Sequence, residues 1–197
     1  MKIGNAAGAC ALAVLALATA ARAQDTYTID PVHTSIAFKV KHMMVSDVKG
    51  QFERFSGTIV LDPKNVEASS VDVTIETPSI STNNEKRDGH LKSPDFFDAE
   101  KFPTITFKSK KVMKKGEQWV AVGDFTMRGV TKEIELPFTL SGPVSAGTAS
   151  VIGVSAATEI NRQDYGVSWN KTLDAGGAVV SDKVRIELEV EAKKQAS

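Results

Sequence analysis

The stretch "SIAFKVKH", residues 35–42, decides how the rest of the chain is read. Ile36, Phe38 and Val40 alternate with small or charged residues, and a period of two puts them on one face of an extended strand. The same pattern returns in "SVDVTIET", residues 70–77, through Val71, Val73 and Ile75, and in "VRIELEVE", residues 184–191, through Val184, Ile186, Leu188 and Val190. Further segments at 57–61, 104–112, 118–127, 132–140 and 148–160 bring the expectation to about eight strands. Turn signals separate them: Asp62-Pro63 before Asn65, Lys115-Gly116, Arg128-Gly129, Ser141-Gly142-Pro143 and Ala175-Gly176-Gly177. Connections this short favour antiparallel neighbours, each with one wet and one apolar face. The fold class is therefore all-β, a sandwich or an antiparallel barrel. A barrel of eight strands has an interior that side chains can fill or a small ligand can occupy, and periodicity alone leaves that choice open.

Working outward, the first 23 of the 197 residues do not share the alternation. They combine Lys2, an apolar run over 6–18 and the small-x-small triplet Ala21-Arg22-Ala23, the form of a cleavable secretory signal. A retained anchor fits less well, because the run is shorter than the roughly 20 residues of a bilayer span. Cleavage after Ala23 removes Cys10, the only cysteine, so the exported fold relies on its core without a disulfide. It also removes Lys2 and Arg22 and takes the formal charge from zero to −2, which lacks the basic excess of a nucleic-acid binder. Residues 24–197 contain no repeat, low-complexity tract or linker and read as one domain.

One region breaks the β pattern. "GHLKSPDFFDAEKFPTITF", residues 89–107, places four of the nine phenylalanines in a charged segment. Ser81, Thr82 or Asn83 can cap a short helix running toward His90, and Ser93-Pro94 has the form of a second helix start.

Catalytic signatures are absent from the exported part: it has no cysteine, G-x-S-x-G elbow, phosphate-binding glycine loop or H-E-x-x-H pair. His33 and His42 lie nine apart along what reads as one extended segment, roughly 30 Å from each other, and are not expected to share a metal. With His90 they read as surface or hydrogen-bonded structural residues. No catalytic residue and no metal is expected. The lysine run "KSKKVMKK", residues 108–115, reads as a solvated hairpin end in preference to an anion site.

Four stretches together are similar to the YceI-like family of polyisoprenoid-binding proteins: "YTIDPVHTSIAFKVKHM" (27–43), "GQFERFSGTIVLDP" (50–63), "HLKSPDFFDAEKFPTITF" (90–107) and "INRQDYGVSWN" (160–170). The resemblance implies an extended, lipocalin-like antiparallel β-barrel, exported to the periplasm and often dimeric, whose interior holds a long isoprenoid or other amphipathic lipid. It implies no catalytic residue and no cofactor other than that lipid. Transient membrane contact is compatible with it.

Under this reading the apolar strand faces supply the lining: Phe38, Val40, Phe52, Ile75, Phe107, Trp119, Phe125, Phe138 and Trp169. Each also fits a plain core position. Phe96, Phe97 and Phe102 in the insert form a lid or mouth wall, or else plug one end of an ordinary core. Candidates for the lipid head group are His42, Arg87, Arg128, Arg162 and Asp164, arginine because it can clamp a phosphate and histidine because it can bond a quinone or alcohol oxygen. Arg162 and Asp164, two apart, are expected rather to pair with each other. The rival readings are a periplasmic enzyme or electron-transfer accessory acting on a bound lipid or quinone, and a packed sandwich that binds a protein partner on its surface.

Overall fold

The structure, a computed structural model, describes residues 24–172 and 178–195. The expected leader and the Ala175-Gly176-Gly177 turn lie outside these residues. The rest forms β1 (Asp25–Ile29), β2 (Ser35–His42), β3 (Ser46–Phe52), β4 (Phe55–Leu61), β5 (Ser70–Glu76), β6 (Ile80–Ser81), α1 (Glu85–Lys92), β7 (Thr104–Lys115), β8 (Gln118–Met127), β9 (Val130–Ala146), β10 (Ala149–Asn161) and β11 (Val180–Lys194).

These strands build a closed antiparallel barrel of eight staves. The ring runs β1-β4-β5-β7-β8-β9-β10-β11 and returns to β1, where Tyr27–Ile29 pair with Lys194–Ala192. Three staves are each broken in two. β2 follows β1 along the same edge of β11, with Ser35 opposite Glu189 and His42 opposite Val180, while β3 pairs β2 and β6 pairs β3. Closure leaves the ring without a free edge, so every stave finds ladder partners on both sides.

The turn chemistry holds at most junctions. Arg128 and Gly129 both take positive φ, 50° and 74°, as a two-residue hairpin of the primed type requires, and join Met127 to Val130. Ser141-Gly142-Pro143 is a correction: it lies inside β9, opposite a register shift between Val151 and Gly153. Gly142, at φ 93°, supplies the backbone freedom that a bulge needs, so a turn-type signal here marks a bulge, and the reversal comes at Gly147.

The insert differs from expectation in its caps. Asn84, not an earlier residue, caps α1, its side chain accepting from the Arg87 amide; Ser93 ends that helix, and 93–101 continues as stacked turns instead of a second helix. His33 and His42 do not share a strand either, because 30–34 turns between β1 and β2.

Two apolar clusters occupy the interior. Tyr27, Ile29, Leu61, Ile152 and Ala192 close one end, and a larger cluster including Phe96, Ile105, Phe107, Phe125, Tyr165 and Val167 extends toward the insert.

Candidate functional site

In a filled barrel the inward row of each strand would be buried. On β11 that row is Val184, Ile186, Leu188 and Val190, and all four remain only half-buried. Phe38, Phe52, Phe97 and Phe138 do the same. The residual exposure of these inward side chains is to an internal cavity of about 230 Å³ that they line. Its lining runs from Ile29 and Leu61 at the closed end to Leu91, Phe96 and Phe97 of the insert, and includes β11 from Val180 to Val190. Ten residue steps at about 3.3 Å each, tilted as barrel strands are, give a length of roughly 25 Å. That volume over that length is a narrow bore, one chain wide. The lining side chains are apolar except Ser69, Ser70, Thr158 and Arg162.

Of the nine residues expected on the strand lining, Phe38, Val40, Phe52, Ile75, Phe107, Phe125 and Phe138 face this cavity, and so do Phe96 and Phe97 of the insert. Trp119 and Trp169 do not. Trp119 shares the inward face of its cross-strand partner Phe138 and packs against the larger apolar cluster without reaching the cavity, with the Lys114 ammonium 6.0 Å from its ring. Trp169 lies in the segment after β10 and packs on the outer side of Phe96, their centroids 5.2 Å apart. Phe102, offered as part of the lid, covers Gly129 instead: a Cβ there would sit 2.6 Å from its ring. Lining residues absent from the expected set include Leu91, Ile105, Leu136, Val184 and Ile186. The four on strands carry the same alternation as their neighbours.

The insert meets the bore through two aromatic chains. Inside, Phe38 approaches Phe52 and Phe52 meets Phe97 edge-on, each pair 6.0 Å apart. Outside, the His90 ring stands edge-on to Phe96 at 4.9 Å and to Trp169 at 5.0 Å, while its Nε2 lies 2.8 Å from Asp95. Gly50 is required by the inner chain: a Cβ would fall 2.3 Å from the Phe38 ring that lies over it.

Four of the five expected head-group candidates, Arg87, Arg128, Arg162 and Asp164, are engaged with the protein itself. Arg87 donates to the Thr82 hydroxyl and carbonyl. Arg128 donates to the Gly166 and Pro94 carbonyls and so ties the insert to the segment after β10. Arg162, 4% exposed, donates to the carbonyls of Val167, Trp169, Val180 and Ser181 and to Asp182, using all three nitrogens. Burial pushes its guanidinium below the ordinary value, and Asp182 acts in the opposite sense. Asp164 does not pair with Arg162; it lies 3.4 Å from Lys132. The two leave the strand on a tight turn, Arg162–Tyr165, where the same-face rule for residues two apart no longer applies. His42 is half-buried at the end of β2, opposite Val180.

The lysine run forms cross-strand pairs: Lys108 with Asp72, Lys110 with Asp124 and Glu133, Lys115 with Glu135. At the β1–β2 break, Asp30, His33 and Glu191 bring three metal-type ligand atoms within 4.8 Å of one another. The Lys193 ammonium, 2.5 Å from Asp30, already supplies a cation there. Hydrogen bonds from Lys193 and His33 hold the Asp30 carboxyl well below the usual carboxylate range.

Comparison with known proteins agrees with this architecture. The family model of the YceI-like domain matches residues 27–192. A UPF0312 protein of Staphylococcus aureus is 37% identical over 169 residues, covering 84% of this chain and 95% of its own. The crystal structure of a Campylobacter jejuni YCEI protein superposes with TM-score 0.69 at 35% identity, over 80% of this chain and 91% of its own. At fold level, Burkholderia cenocepacia BcnA gives TM-score 0.72 at 22% identity (83% and 98% covered), and a polyisoprenoid binding domain from Saccharophagus degradans gives 0.65 at 14% (86% and 98% covered). The match of the family model from Tyr27 to Ala192, with a relative 37% identical over 84% of the chain, places this chain in the YceI-like domain family.

Proposed function

We propose that the protein binds the hydrocarbon chain of an amphipathic lipid, a polyisoprenoid such as a polyprenol, polyprenyl phosphate or quinone tail, and carries or sequesters it in the periplasm without turning it over. The observation that carries this reading is the bore: long, narrow, apolar, and lined from the closed end to the insert. Each buried methylene contributes about 0.8 kcal/mol, so a chain of tens of carbons offsets the roughly 4–15 kcal/mol that association costs. A cavity of about 230 Å³ takes a segment of such a chain. Because the Arg162 donors are all spent, affinity follows chain length more than head group. The printed description of the Saccharophagus domain as polyisoprenoid binding points the same way.

The test is native mass spectrometry of the purified protein, then organic extraction and identification of what it carries. A stoichiometric isoprenoid is expected, recovered chemically unchanged. Phe38→Asp and Phe107→Asp should fold and lose it. A protein that is empty and refuses added polyprenol overturns the reading, and lipid converted on incubation favours the enzyme instead.

A further inference from the structure

Between β2 and β3 the chain reverses through Met43, Met44 and Val45, which are 44%, 68% and 82% exposed. Hairpin tips are ordinarily polar, and three consecutive large apolar residues in water are disfavoured. Met43 and Met44 also take positive φ, 50° and 60°, a left-handed conformation that residues other than glycine adopt at a cost. The tip is pinned in this form: the Met43 amide donates to the Val179 carbonyl at 2.8 Å and the Val45 amide to the His42 carbonyl at 3.1 Å.

The tip belongs to the insert end of the barrel. The Val179 amide donates in turn to the Lys171 carbonyl, and Trp169, two residues earlier, packs against His90 and Phe96. Phe38 and Val40, which line the bore, stand on the strand that leads to the tip. The two strands carry Lys39, Lys41 and Lys49 against Asp47 alone, a basic collar below an apolar point. Lys41 pairs with Asp47, Lys39 reaches across to Glu187, and Lys49 has no ion pair among the described residues.

Three side chains are far too small an area for a stable protein interface, which buries upwards of about 1,000 Å². An apolar point with a basic collar matches the boundary between anionic head groups and acyl chains. We propose that this tip inserts into the surface of an anionic lipid bilayer and seats the insert end of the barrel against it. The identity of what then passes rests on the proposed function; the docking itself does not.

Flotation of the protein with vesicles of phosphatidylethanolamine and phosphatidylglycerol, against vesicles of phosphatidylcholine alone, tests this. The protein should float with the anionic vesicles, and the combined change Met43→Ser, Met44→Ser, Val45→Ser should lower the bound fraction about tenfold. Lys49→Glu should weaken binding to the anionic vesicles only and reduce its salt dependence. The triple variant should melt with the parent and still load detergent-dispersed polyprenol. Failure of that loading in the parent would count against the lipid-binding reading, whereas failure of flotation counts against docking. A parent that stays off anionic vesicles, or a triple variant that floats equally well, overturns the proposal. So does a triple variant with an altered oligomeric state, since the tip would then join two copies of the chain.

Discussion

The two ends of the barrel are closed by different means. At one end Tyr27, Leu61, Ile152 and Ala192, all on barrel strands, are no more than 2% exposed and bury one another. At the other, the closure is an insert between β6 and β7, with His90 exposed over Phe96 and with the Arg128 contacts to Pro94 and Gly166 tying it down. An end sealed by staves opens only if ladder hydrogen bonds break. An end covered by an insert opens if a few side-chain contacts yield, so the covered end is the place for exchange with the outside.

The largest expected effect removes the anchor of the covered end. Arg162→Leu leaves four carbonyls and Asp182 without their buried donor, at about 1–3 kcal/mol each where they stay dry, and should cost at least about 4 kcal/mol in denaturant unfolding. A midpoint within error of the parent would mean that the clamp is ornamental. Next comes the sealed end, where Ile152→Ala, at a buried residue off the cavity lining, should cost about 2–5 kcal/mol, the range for a buried isoleucine or leucine, with no change in lipid release. Faster release from this variant would erase the difference between the ends.

Phe97→Ala should show the opposite balance. Part of its ring faces open space already, so the stability cost is about 1–2 kcal/mol, while release of a bound polyprenol should quicken roughly tenfold. Equal release rates would leave the insert as a plug and not a gate. The smallest effect is in acid. Because the Asp30 carboxyl is held low in the folded protein, its contribution is complete above its unfolded value near 3.9 and is lost as pH falls through the folded value. Asp30→Asn should therefore flatten the acid limb of stability below about pH 4 and leave neutral pH stability less dependent on Lys193.

Much of this was legible in the chain. Alternation assigned Phe38, Val40, Phe107 and Phe125 to the inner face, and Arg128-Gly129 announced its hairpin correctly. Legibility failed where the chain leaves regular strand. Trp169 follows a tight turn, so its parity with the strand before it carries no meaning. Met43-Met44-Val45 was visible as a break in alternation between His42 and Ser46, but only its exposure separates a tip from a buried bulge. Broken staves were hidden as well, because a five-residue interruption at 30–34 looks in sequence like more of the same extended segment.

What the sequence by itself determined is the all-β class, which side chains face inward, and the position of an aromatic insert, since these follow from local periodicity and turn chemistry. Whether the interior is a packed core or a bore was decided only by the tertiary structure. Alternation states the direction of a side chain, but the room left between opposite walls depends on how eight staves tilt and close, and that is a property of no single segment. The same holds for Arg162: its five partners come from residues 167–182, and their number, which leaves no donor for a head group, exists only once the chain has folded around it.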